Sequence, residues 1–431
     1  MRVLAVSYVV PPMLYPQAIQ IGRLLSHTPG EIAVVSSAAS GSGAGSGLDV
    51  YPDFEAKLAL HIGVPPERPA ARLPPMCVPL ISVADKIARR VVPFYGRIPD
   101  EHRSWVPPAE RAVIAALARS GFSPEVMVTF GEPMSDHLLG LRLKPRLGVP
   151  WIAHFSDPWA DNPFRRHEIF ANMINRRLER HVITQADRII FTSDETRSLV
   201  MKKYPRPFLD KADVLPHSFD QTLYPAPRER ERERGERAEP SLRVRYLGSF
   251  YGHRTPKPLF QALRLILDRT PALLHDVAFE LVGGMPDRMK ADPVFRALPE
   301  SLIRLRGTVP YSASLTLMAD ADLLLVIDGP DTLSVFLPSK LIDYLGAGVP
   351  IFGIVPPGTS AKLITRLGGV VANPSAPAEV ADGLVRALAR ARQQQTAATA
   401  TPWGVDAVRD EFTIGNVSAK FARIMIRATT F

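Results

Sequence analysis

Short, nearly unbroken apolar runs recur along this chain, separated by longer stretches in which apolar residues return every three or four positions. The runs fall at 3–6, 32–35, 126–130, 151–155 and 189–192, and a second series at 244–247, 279–282, 323–327 and 351–355. Runs without polar alternation suit strands covered on both faces, and the helical stretches between them supply the cover. The pattern therefore predicts an α/β protein with parallel, doubly wound sheets. Between the fourth and fifth runs, Ile174, Leu178 and Val182 share one helical face. Near the end, Val417, Phe421, Ile424 and Met425 form an apolar stripe on a helix predicted over 410–428.

The two series are separated by a visible break. Between Pro225 and Pro240, Arg228 to Arg234 alternate arginine and glutamate, and alanine is the only apolar residue other than the prolines. Such a segment has no surface to bury and reads as a solvated linker, its glutamates offsetting any attraction to nucleic acid. With 431 residues, the chain exceeds one comfortable core. The expected organisation is an N-terminal Rossmann-like domain over 1–225, the charged linker 226–240, a C-terminal Rossmann-like domain over 241–408, and a terminal helix in 409–431. The stretches 36–47 and 393–401 are low in complexity and read as loops.

Composition narrows the partners. A hydrophobic share of 46% with 22% charged residues describes a folded protein, and no apolar run approaches a membrane span. The opening residues Met1 to Val6 run into Pro11-Pro12 and read as a first strand, not a signal peptide. Cys77, the single cysteine, excludes an internal disulfide and fits a reducing compartment. The net charge of +9 calls for an anionic partner. Without C-x-x-C, H-E-x-x-H or an RNA-recognition signature, metal sites and nucleic-acid modules recede. Lys86, Arg89, Arg90, Arg97 and Arg103 interleave with Phe94, Tyr95 and Trp105. That stretch suits contact with an anionic membrane surface, or an insertion packed on its own domain.

Doubly wound sheets bind ligands beyond the carboxyl ends of their strands. One loop there runs from Leu247 through Gly248, Ser249, Phe250 and Tyr251 to Arg254 and Lys257. Its glycines would let backbone N–H groups approach an anion, and Arg254 and Lys257 add charges suited to a diphosphate. A second cluster begins at Pro338, which opens a helix carrying Ser339 and Lys340 at its N-terminus and Asp343 one turn on. Helix N-termini favour phosphate, and a carboxylate there suits a ribose diol.

The stretch Pro338-Ser339-Lys340-x-x-Asp343-Tyr344-x-x-x-Gly348-x-Pro350 resembles the donor-site signature of GT-B glycosyltransferases, in particular glycosyltransferase family 4. Leu247 to Tyr251 with Arg254 is similar to the phosphate loop of bacterial polysaccharide and lipopolysaccharide enzymes. Asp187 to Ser193, Val214 to Asp220 and Ser156-Asp157-Pro158-Trp159 resemble the family's landmarks in the N-terminal domain. The resemblance implies two Rossmann-like domains facing a cleft, with the last helix crossing back to the first domain. It implies transfer of a sugar from a nucleotide-sugar donor to a glycan or lipid-linked acceptor, with retention and without metal or other cofactor. By resemblance Arg254 and Lys257 neutralise the leaving diphosphate, with Asp157 joining them as a catalytic candidate. Ser249, Thr308, Val309, Pro338, Ser339, Lys340 and Asp343 line the donor, and His154 with Asp157 faces the acceptor. The implied place is the cytoplasm at the inner face of the membrane, in cell-surface polysaccharide or glycoconjugate synthesis.

Three positions depart from the family pattern. Val335 stands where a first acid is usual, Ser156 where a histidine often precedes the acid, and Pro11 to Pro16 where a glycine pair follows the first strand. His154 and His137 are nearby replacements, each also readable as structural. Two alternatives stay open: a nucleotide-sugar epimerase or hydrolase on the same fold, and a non-catalytic binding subunit. A Rossmann dehydrogenase is disfavoured because no G-x-G-x-x-G follows the first strand.

Overall fold

A computed structural model describes residues 1–37, 50–51, 53–66, 98–165, 169–225, 242–396 and 402–430. The 226–240 segment, Cys77 and the basic stretch 86–97 fall outside these residues. Internal contacts divide the chain into two units. One comprises Met1–Pro216 with Ser418–Phe431, the other His217–Val417. The second unit thus begins nine residues before the expected linker, at His217.

In the first unit, seven parallel strands lie in the order β3-β2-β1-β4-β5-β6-β7. They are β1 (Arg2–Val6), β2 (Glu31–Ser36), β3 (Leu60–Gly63), β4 (Val126–Gly131), β5 (Trp151–Phe155), β6 (Arg188–Phe191) and β7 (Ala212–Val214). In the second, six parallel strands lie in the order β10-β9-β8-β11-β12-β13. They are β8 (Leu242–Leu247), β9 (Val277–Val282), β10 (Ile303–Arg306), β11 (Leu323–Ile327), β12 (Ile351–Ile354) and β13 (Val370–Ala372). All nine apolar runs became strands. The four strands the pattern missed, β3, β7, β10 and β13, are the sheet edges. An edge strand needs cover and partners on fewer sides, so polarity is tolerated: Arg304, Leu305 and Arg306 of β10 are exposed.

The helix Ile169–Gln185 corrects one expectation. Ile174 is 45% exposed, while Val182 is fully buried and Leu178 packs at the margin of the core. The inward face is instead set by two polar side chains. Asn175 accepts the Trp159 indole N–H at 3.0 Å, and Glu179 accepts the Ala160 N–H at 2.9 Å. Glu179, fully buried, also receives the Tyr204 hydroxyl at 2.8 Å and pairs with Lys203 at 2.7 Å. These bonds tie the loop after β5, which carries Asp157, to a rigid helix. Glu179→Ala leaves an amide and a phenol without their acceptor, so we expect it to destabilise the protein by about 3 kcal/mol. A denaturant midpoint unchanged by the substitution would contradict this.

Trp105 is not a surface aromatic. It is 1% exposed and donates its indole N–H to the Val64 carbonyl at 2.7 Å. Among the described residues, then, the end of the basic stretch packs on its own unit. The terminal helix is Ile414–Thr429, with Val417, Phe421, Ile424 and Met425 all buried. Residues from Ser418 onward cluster with the first unit, where Arg427 donates to Asp213 at 2.6 Å. Burying each of those apolar side chains stabilises by about 1.5–3 kcal/mol. No helix among the described residues is long and apolar enough to cross a membrane.

Candidate functional site

The strand order of the second unit reverses direction between β8 and β11, so a crevice opens beyond their carboxyl ends. The loops after these two strands bring together a cluster that sequence spacing only half revealed. Arg254, from the loop after β8, reaches Asp328, the first residue after β11, at 3.4 Å. Its other terminal nitrogen donates to the Tyr251 hydroxyl at 3.1 Å, and the guanidinium stacks 5.0 Å from that ring. Burial alone would weaken the hold of Arg254 on its proton. Tyr251, Tyr246 and Asp328 outweigh it, and the group stays charged.

Lys340 approaches from the helix Ser339–Ala347, whose N-cap is Pro338. Its ammonium lies 2.8 Å from the Tyr246 hydroxyl and 4.0 Å from that ring's centroid. Gly248 makes this approach feasible. With φ of 132° it holds a conformation few other residues adopt, and a Cβ there would sit 2.4 Å from the lysine nitrogen. Burial, and then the charge of Arg254, press the Lys340 pKa well below its ordinary range, with Asp328 opposing. The helix N-terminus adds partial positive charge beside both cations. The helix ends at Gly348, whose φ of 63° closes it in the left-handed manner.

The loop after β8 works differently from expectation. The Gly248 and Phe250 N–H groups are already engaged, bonding Val282 and Gly284 carbonyls at 2.8 Å each. Ser249 accepts the Gly284 N–H at 3.2 Å. Two of the loop's amides are thus already used, and its charged side chain is Arg254.

Lys257 makes its ion pair outside this cluster. It is 52% exposed, lies 3.7 Å from Asp292, and lines a cavity of about 400 Å³ with His253 and Arg288. It was expected to share the diphosphate contact with Arg254; here it opens the next helix and its ammonium pairs with Asp292. Asp343 is buried, and one carboxylate oxygen accepts the Tyr311 hydroxyl at 2.8 Å. Tyr311 follows the exposed Thr308 and half-buried Val309 by a few residues, which places the proposed base and ribose contacts on neighbouring elements. Val335, where an acid was looked for, is buried.

In the first unit, His154 on β5 is 7% exposed, and its Nδ1 has no hydrogen-bond partner among the described residues. Burial lowers its pKa to about 4. His137 is fully enclosed, with its Nδ1 at 2.7 Å from the Thr129 hydroxyl; burial and then His154 lower its pKa to about 3. Both are neutral near pH 7, and His137 is a core residue. Asp157 lies in the loop after β5, partly exposed. At the first unit's own reversal point, between β1 and β4, Asp136 accepts the Tyr8 N–H at 2.8 Å.

Asp328, Tyr246, Ser334 and Tyr311 escaped the sequence reading. Only Asp328 carried a usable signal: a carboxylate directly after a buried apolar run marks the carboxyl end of a strand. Among the described residues, no group of three or more His, Cys, Asp or Glu side chains is arranged to hold a metal ion.

Comparison with known proteins bears on the fold. The family model for the glycosyl transferase 4-like domain matches residues 65–216. No curated protein matches the sequence. Among solved structures, HepE of Anabaena in complex with UDP-glucose is 13% identical, with a TM-score of 0.64 over 99% of this chain and 100% of that one. Sucrose-phosphate synthase from Thermosynechococcus elongatus is 13% identical, with a TM-score of 0.69 over 99% and 98%. WaaG, a glycosyltransferase involved in lipopolysaccharide biosynthesis, is 16% identical, with a TM-score of 0.61 over 98% and 99%. The chain has the fold of the GT-B glycosyltransferases, and residues 65–216 match the glycosyl transferase 4-like domain.

Proposed function

We propose that this protein transfers a hexose-like sugar from a nucleoside-diphosphate donor, held by its second unit, to a glycan or lipid-linked acceptor. The observation that carries the reading is the meeting of Arg254 and Lys340 at a helix N-terminus, beside the strand reversal of the second sheet. Two cations and a helix dipole are suited to stabilise charge as a diphosphate departs, which is where such a reaction needs help. When the bond between the sugar's anomeric carbon and the diphosphate oxygen breaks, its electron pair leaves with that oxygen. The acceptor hydroxyl oxygen forms the new bond, and its proton must pass to a base. We assign Asp157 and the neutral His154 to the acceptor side, and Asp343 with Tyr311 to the ribose. Transfer with retention, without metal, in the making of a cell-surface glycan at the inner membrane face belongs to the same proposal.

Calorimetric titration with UDP and GDP tests the donor half directly. Saturable binding of one of them is expected, and if neither binds at millimolar concentration the assignment fails. Incubation with a panel of nucleotide sugars and membrane extract tests the acceptor half. A glycosylated product is expected, and release of free sugar alone would favour hydrolysis.

A further inference from the structure

The Arg254–Asp328 contact is peculiar in its details. A guanidinium binds a carboxylate or phosphate best through its side-on edge, where Nε–H and one Nη2–H point the same way. In this protein Nη2 reaches Asp328 Oδ1 only at 3.4 Å, near the limit of a hydrogen bond. The neighbouring Nε is enclosed and has no partner among the described residues. The edge is half filled.

Asp328 is unable to fill the other half, because its carboxylate is fixed elsewhere. Oδ1 also accepts the Gly329 N–H at 2.9 Å, Oδ2 accepts the Ser334 hydroxyl at 2.9 Å, and the Asp328 amide is tied to the Ile354 carbonyl at 3.0 Å. An enclosed donor without an acceptor is unfavourable and is tolerated where another acceptor is due to arrive. A phosphate group has several oxygens and takes Nε and Nη2 together. The second cation, Lys340, is near enough for Arg254 and Asp328 both to perturb its proton affinity.

We propose that Asp328 is a place-holder for the donor's diphosphate: it keeps Arg254 aimed while the site is empty, and gives up the guanidinium's side-on edge when the diphosphate enters. This rests on the donor-site reading above and adds to it a residue that acts through Arg254 without touching the donor. Asp328 is thus a positioning residue that competes with the ligand. Its fixed negative charge weakens diphosphate binding and recaptures Arg254 when the product leaves.

The test is diphosphate affinity, measured by calorimetry with UDP and GDP on the full chain. Asp328→Asn preserves the bonds to Gly329 and Ser334, since the amide still accepts from the first and donates to the second, and it removes only the charge. Affinity should then rise about tenfold, because a neutral amide no longer competes with the diphosphate for the Arg254 guanidinium. In the Arg254→Ala background the same change should alter affinity less than about twofold. An unchanged or weaker affinity in Asp328→Asn overturns the proposal, and so does an equal gain with and without Arg254. If wild type binds neither nucleotide, it is the donor-site reading that has failed. Should Asp328→Asn not fold, the Arg254 Nε–H resonance of wild type decides. Assigned by its loss in Arg254→Lys, it should shift on titration with the binding nucleotide, and a signal that stays in place rules out the exchange.

Discussion

Arg254→Ala should lower sugar transfer by about 10²–10³-fold while the protein remains folded. The size follows from the cation's place. Arg254 stays charged in a poorly solvated crevice, so it is pre-organised for negative charge that grows as the diphosphate departs. A reaction that needs such charge in the transition state loses more than binding when it is removed. The loss should therefore fall on kcat as well as on KM. Stability should suffer less, about 1 kcal/mol, because Asp328 keeps two further hydrogen bonds, from Gly329 and Ser334. Steady-state kinetics and denaturant unfolding on one preparation separate the two effects. Equal turnover by variant and wild type would remove Arg254 from the mechanism, and with it the observation on which the proposed function stands.

Lys340→Met should weaken diphosphate binding by about 10–100-fold and yet make the protein more stable. Burial and the Arg254 charge, partly offset by Asp328, hold the Lys340 pKa well below its ordinary value. The unfolded chain therefore binds more protons than the folded one between the two pKa values, and stability rises with pH across that window. Below the folded pKa the penalty for the buried charge is felt in full, so the gain from Lys340→Met should be largest on the acid side. Donor binding has the opposite sign. A diphosphate favours the ammonium form, so wild type should take up a proton on binding and bind more tightly as pH falls toward the folded pKa. The diphosphate titrates as well, and the difference between wild type and Lys340→Met isolates the lysine's share. Calorimetry in two buffers of different ionisation enthalpy counts the protons, and thermal unfolding across pH reads the stability. Identical proton uptake by both proteins would show that Lys340 takes up no proton on binding, against this prediction.

Both predictions involve residues that the sequence singled out and whose partners the tertiary structure supplied. Arg254 and Lys340 were legible because each follows a buried apolar strand and stands at or before a helix start, a place where anions bind whatever the rest of the fold does. Lys257 looked equivalent to Arg254, three residues away. It differs because it is the first residue of a helix and its side chain leaves on another bearing, toward Asp292. Spacing along the chain does not report that direction.

The chain's own pattern dictated the two parallel sheets, because strands buried on both faces must be written as unbroken apolar runs. It also determined the apolar stripe of the terminal helix and the loops where charge would gather. The sheet edges became defined only on folding, and their short strands carry charge because one side faces no neighbour. The inward face of Ile169–Gln185 was also decided then: Asn175 and Glu179 look like surface residues until Trp159 and Ala160 arrive to bond them. The same holds for Asp328, Ser334, Tyr246 and Tyr311. Each is an ordinary polar residue in its own segment and acquires a role only where strands β8 and β11, far apart in the chain, are brought side by side.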